Sequence, residues 1–176
     1  MPRKNRIKDE KFKVGDVVRA VIRKVFIDKK RGVRIEISRT SPKFLEALLK
    51  SQVPEIQDGS VIVKASARIP GRRAKVALSS ISPNIDPIGA TVGVKGVRID
   101  AVSKEIKNEN IDVIEYSAQP EIMLSRAMAP AIISSVRIDG NKAMVHLNSD
   151  QKSKAIGKDG INTVSYTHLT LPTNSL

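Results

Sequence analysis

Two short stretches of this 176-residue sequence have the composition of an anion cradle: Gly93-Val94-Lys95-Gly96 and, 64 positions later, Gly157-Lys158-Asp159-Gly160. Glycine at both ends of a four-residue loop lets the main chain approach another molecule closely and reach φ > 0 without a Cβ penalty. Each loop interrupts a helical pattern, so the helix behind it directs its N-terminal NH groups and positive dipole end into the same space. Lys95 in the first copy and Lys158 in the second add a cation, and Arg98 reinforces the first cradle from one turn on. The chemistry this suits is the grip of a phosphate on a sugar-phosphate chain. One G-x-x-G alone is a weak signal, since most are helix caps or turns. Its recurrence in similar surroundings, on a basic chain, favours nucleic acid. The second loop carries less weight, because Asp159 partly cancels Lys158.

Other chemistry finds little support in the residues. A nucleotide-hydrolysing P-loop needs G-x-x-x-x-G-K-[ST] after a strand, and neither glycine loop ends that way. No cysteine is present, so there is no disulfide framework and no thiolate metal site. Two histidines without clustered carboxylates give no metal site, and His146 alternates with Val145 and Leu147 as a solvent-facing strand residue. No catalytic residues and no cofactor are expected. Asp86 and Asp100 read as a helix cap and a surface charge. A further basic cluster, Arg68, Arg72, Arg73 and Lys75, surrounds a predicted hairpin and could line a phosphate track; a solvated turn would carry the same residues. Phe12 and Phe26 could stack on bases, but buried anchors of the N-terminal ribbon are the better reading.

The charge balance points the same way. Lys and Arg number 31 against 18 Asp and Glu, a net +13, and a field of that sign favours a polyanionic partner. Residues 1–40 hold 14 basic and 5 acidic side chains, or +9, and the excess runs through a strand pattern rather than a loose tail. Apolar content of 40% with 28% charged residues fits a soluble globular chain of one or two small domains. No apolar run approaches the roughly 20 residues of a membrane span, and the charged start lacks the apolar stretch of a secretory signal. A cytoplasmic monomer without membrane contact is expected.

These residues need elements to hold them. Residues 14–27 alternate as a half-buried strand, "DKKRG" turns, and "VRIEIS" returns. Such a ribbon is marginal alone, so residues 1–40 look like part of a larger barrel. Ser41-Pro42 opens a helix carrying Phe44, Leu45, Leu48 and Leu49 on one face. Two strands joined at "PGRR" come next, then a short helix capped by Asp86, the first loop, a second helix from Val97, and a strand at "NIDVIEY". After Pro120 the plan repeats: a helix, a hairpin turning at Asp139-Gly140, a short helix and the second loop. The final "SYTHLTLPTNSL", with three threonines, a proline and no charge, breaks the pattern where a helix is due. Residues 165–176 are therefore set aside as a non-native tail.

The strings "ISRTSPKFLEALLKSQVPEI", "SARIPGRRAKVALSS", "IDPIGATVGVKGVRIDAVSKEI", "NIDVIEY" and "AIGKDGIN" resemble the NusA family of bacterial transcription factors over about residues 11–163. The resemblance implies an α+β chain: a remnant of an S1/OB-type β-barrel (1–40), a first prokaryotic-type (type II) KH domain (41–118) and a truncated second one (119–164). It implies an RNA-binding module of transcription elongation, termination and antitermination, with single-stranded nascent RNA gripped at Gly93–Gly96 and Gly157–Gly160 and its splayed bases in the adjoining groove. RNA polymerase is a partner of the family, but the N-terminal domain that binds it is not in this sequence. A rival is the accessory KH/S1 region of a phosphorolytic RNA-degrading enzyme; there KH precedes S1, opposite to the order here. A ribosomal protein with a KH domain would carry one such unit rather than two.

Overall fold

A computed structural model describes residues 1–140 and 142–170. Strands β1 (Val21–Asp28) and β2 (Gly32–Ser38) form a two-stranded antiparallel sheet of their own. Their register pairs Ile22 with Ile37, Val25 with Ile35 and Ile27 with Val33, which places the aliphatic side chains on one face. That face is open, with Ile22, Val25, Ile27, Val33 and Ile35 all more than half exposed. The half-buried strand expected from residue 14 thus begins only at Val21 and is not covered. Alternation reports which residues share a face, not whether anything packs on it. Phe12 and Phe26 are likewise no buried anchors: both are exposed, one near the Arg39 guanidinium and one near the Lys24 ammonium.

The chain before the ribbon is tied to the unit behind it. Ile7 is buried in the main core. Buried Arg39 donates to both carboxylate oxygens of Glu10, to Glu105 and to the carbonyls of Arg19 and Glu105. Burial opposes the Arg39 charge, but these two acids outweigh it and hold the guanidinium's pKa above its ordinary value.

Helix α1 (Pro42–Gln52) starts as its sequence dictates: Ser41 Oγ accepts from Lys43 N and Pro42 takes the first turn. Its buried face, Phe44, Leu45, Leu48 and Leu49, packs with α2 (Pro54–Gln57) on a three-stranded sheet of β3 (Val61–Ile69), β4 (Arg73–Ser80) and β5 (Asn110–Glu115). The central strand β4 runs antiparallel to β3 and parallel to β5. The crossover between β4 and β5 is made by α3 (Pro87–Val92) and α4 (Val97–Glu105), with the first glycine loop between them. On β4, Ala74, Val76 and Leu78 enter this first core, whereas Ala77 on the opposite face joins Ala67 and Ile114 in a second cluster.

That second cluster is where the repeat docks. Helix α5 (Pro120–Ala127) contributes Met123 and Ala127, strands β6 (Ser135–Asp139) and β7 (Lys142–His146) form a hairpin, and α6 (Lys152–Ile156) leads to the second loop. Helix α7 (Ile161–Thr170) then lies across β3 and β4 with Leu169 buried and Tyr166 packed against the cluster. Residues 165–170, set aside above as a tail, lie in this helix, and residues 171–176 lie outside the described residues. The threonines that argued against a helix are accommodated: Thr167 Oγ1 donates to the Thr163 carbonyl and Ser165 Oγ to that of Asn162. Tertiary burial overrides the weak local propensity.

Candidate nucleic-acid interface

The two loops have one backbone. Gly93 closes α3 by donating to the Gly89 carbonyl at 2.9 Å, and Gly157 closes α6 by donating to Ser153 at the same distance. Their dihedrals are φ 75°, ψ 171° and φ 73°, ψ 167°, a region that side-chain-bearing residues essentially do not enter. The third position of each loop is left-handed, Lys95 at φ 52° and Asp159 at φ 56°. The fourth, Gly96 or Gly160, donates back to the first glycine's carbonyl at 3.0 and 3.2 Å. Val94, Lys95, Lys158 and Asp159 are all exposed. The two lysines are therefore not equivalent, as the shared spacing alone suggests. Lys158 stands where the first loop has Val94, and the position of Lys95 is held by an acid.

The residue five places after the first glycine wedges beneath each loop. At Gly93 an added Cβ would lie 2.8 Å from Arg98 Cγ, and at Gly157 one would lie 3.0 Å from Asn162 Cβ. Arg98 is held there by hydrogen bonds from Nη1 to Glu55 (2.8 Å) and to the Ala90 carbonyl (2.6 Å), so it braces α4 against α2 and α3. Asn162 is buried and donates to the carbonyls of Met128, Lys154 and Ala155. Replacing Gly93 with alanine combines a forbidden dihedral with this clash. A loss of about 1–3 kcal/mol is expected, read as a lower melting temperature by circular dichroism.

The basic cluster around the β3–β4 turn divides into different roles. Lys75 is a correction: its side chain is fully buried, with Nζ donating to Asp112 at 2.8 Å and to the Ala129 carbonyl at 3.0 Å. It joins the first unit to the second and cannot line an open track. Burial draws its pKa below the ordinary lysine value, opposed by the hydrogen bond and charge of Asp112. Arg73 is mostly enclosed and donates to the same carboxylate at 2.7 Å. Arg68 is also removed from the surface, in a fully buried pair with Glu109. Arg72 alone of the four is substantially exposed, and it meets Asp159 of the second loop at 3.3 Å. Alternation along β4 places Lys75 on a face with Ala77; that a helix from the other unit covers this face is a tertiary fact.

Among the described residues no group of three His, Asp or Glu could hold a metal ion, and no helix is long and apolar enough to cross a membrane. The side chains at the middle of both glycine loops are open to solvent, and each loop lies between short helices and is backed by a helix N-terminus.

The order helix, hairpin, helix, glycine loop, helix, repeated in one α+β chain, is that of tandem KH domains. Residues 39–116 match the NusA-like first KH domain and residues 120–170 the NusA-like second KH domain. The chain is 48% identical to the transcription termination/antitermination protein NusA of Helicobacter pylori, over 95% of this chain and 48% of that protein. It is 45% identical to the protein of that name from Thermus thermophilus, over 92% of this chain and 42% of that protein. The crystal structure of APE1850 has a similar fold, with a TM-score of 0.51 at 21% identity over 70% of this chain and 84% of that one. The chain belongs to the NusA family. It spans about half the length of the curated relatives it matches.

Proposed function

We propose that this chain is a non-enzymatic RNA-binding module of a transcription termination and antitermination factor, and that it grips single-stranded RNA through both glycine loops. The observation that carries this reading is the pair of exposed loops with one backbone conformation, Gly93–Gly96 and Gly157–Gly160, in a chain of net charge +13. Phosphates take the backbone amides, the helix end and the lysines; Val94 and Val97, both largely exposed, offer apolar surface beside Lys95 to an unstacked base. Arg72 belongs to the proposed surface, Arg98 acts beneath it as a brace, and Lys75 and Arg73 drop out of it. An S1-type origin for the N-terminal ribbon, association with RNA polymerase, a monomeric state and a cytoplasmic location belong to the same proposal. The names and identities of the relatives favour it over an accessory region of a phosphorolytic enzyme.

The test is a titration of fluorescent single-stranded RNA against the chain at several salt concentrations. Saturable binding is expected, weakening about tenfold or more between 50 and 200 mM salt as bound phosphates release counterions. Absence of saturable binding at the lower salt would remove the proposal.

A further inference from the structure

The loops share a backbone and differ in charge at their third position, where Lys95 in the first is replaced by Asp159 in the second. A carboxylate in a phosphate cradle repels its ligand. Asp is among the few side chains that tolerate a left-handed backbone, but that tolerance does not explain its partner. Arg72, on the turn between β3 and β4 of the first unit, donates through Nη2 to Asp159 Oδ2 at 3.3 Å. The two residues lie 87 positions apart, and both side chains are about half exposed or more. The turn that carries Arg72 is itself well fixed. Arg72 N donates to the Ile69 carbonyl, Asn110 N donates to the Arg72 carbonyl, and Gly71 N donates to buried Glu109. A guanidinium is therefore presented beside the second loop by the other unit.

We propose that Arg72 supplies the cation that the second loop lacks at its third position, so that the second cradle is built from both units. In the free protein Arg72 rests on Asp159. When RNA occupies the loop, Arg72 moves to the phosphate, which is held between Arg72 and Lys158, and Asp159 is left to water. The exchange is favourable in kind: exposed ion pairs are weakly held, whereas a guanidinium matches phosphate oxygens with two parallel hydrogen bonds. Asp159 is thus an internal competitor that sets the affinity of the second loop. The proposal rests on the RNA-binding reading above.

The experiment measures binding of a labelled single-stranded RNA of about 12 nucleotides, long enough for two KH loops at about four each. The variants are Arg72→Ala, Asp159→Ala and their combination, with Lys95→Asp as the control for the first loop. Arg72→Ala is expected to weaken binding about threefold to tenfold and to lower the salt slope by about 0.7, the value for one single-strand phosphate. Asp159→Ala is expected to tighten binding twofold or more. Arg72→Ala should cost more in the Asp159→Ala background than in the parent, because there Arg72 has no ion pair to give up. A pair that merely staples the units together predicts the opposite for Asp159→Ala, namely weaker binding with a lower melting temperature. Weaker or unchanged binding by Asp159→Ala, or equal cost of Arg72→Ala in both backgrounds, overturns the proposal. If Lys95→Asp weakens binding while Arg72→Ala is silent, only the composite second cradle fails. A parent protein without RNA affinity sinks both readings together.

Discussion

Arg68→Ala is expected to destabilise the first unit by about 3–5 kcal/mol, a large part of the 5–15 kcal/mol typical of a folded domain. Neither Arg68 nor Glu109 exposes any of its side chain. Arg68 Nε and Nη2 donate to the two oxygens of Glu109 at 2.8 and 2.9 Å. Its Nη1 donates to the carbonyls of Arg39 and Ser41, and Gly71 N donates to Glu109 Oε2. Removing the guanidinium strands a buried carboxylate and two carbonyls at once. The same pair anchors the β3–β4 turn, so Arg72 should lose its fixed placement as well. Urea denaturation followed by circular dichroism measures the loss. A shift under about 1 kcal/mol would show that water reaches the pair. The double variant Arg68→Met/Glu109→Leu should cost less than the two single changes summed, since an ion pair replaced whole leaves no lone charge.

Lys95→Asp is expected to raise the dissociation constant for single-stranded RNA about tenfold, equivalent to about 1.4 kcal/mol. Lys158→Asp should act in the same direction. Both side chains are exposed on loops whose shape is set by glycines, so the fold should survive the charge reversal. If the two loops act independently the double variant loses roughly a hundredfold. The logarithmic salt slope should fall by about 0.7 for each phosphate that is no longer neutralised. A double variant with unchanged melting temperature, unchanged affinity and unchanged slope would remove the loops from the interface.

How far the sequence discloses this molecule varies with the kind of residue. The loops are legible because paired glycines at fixed spacing mark a backbone requirement, and dihedrals near φ 75°, ψ 170° are that requirement. The helix of Pro42–Gln52, the cap by Asp86 and the hairpin turning at Gly140 are legible for equally local reasons. Charged residues are harder. Arg68, Arg72, Arg73 and Lys75 form one basic cluster in the sequence, yet one is exposed, one mostly enclosed and two sealed. What separates them is the position of Glu109, Asp112 and Ala129, which chain order does not disclose. Helix α7 is hard to read for another reason: its threonines argue against a helix until the sheet beneath Leu169 is in view.

Under the proposed function, the seam beneath α7 bears on how RNA would be held as well as on how the chain folds. Ala67, Ala77, Met123 and Leu169 close it, and the Lys75 ammonium crosses it to the Ala129 carbonyl. The two loops are therefore held at a set separation rather than strung on a pliant tether. For a strand caught at one loop, meeting the other becomes an intramolecular event, with an effective concentration in the millimolar range or above. An oligomer just too short to bridge that gap forfeits the whole gain, so affinity should climb with length in a step, not a slope.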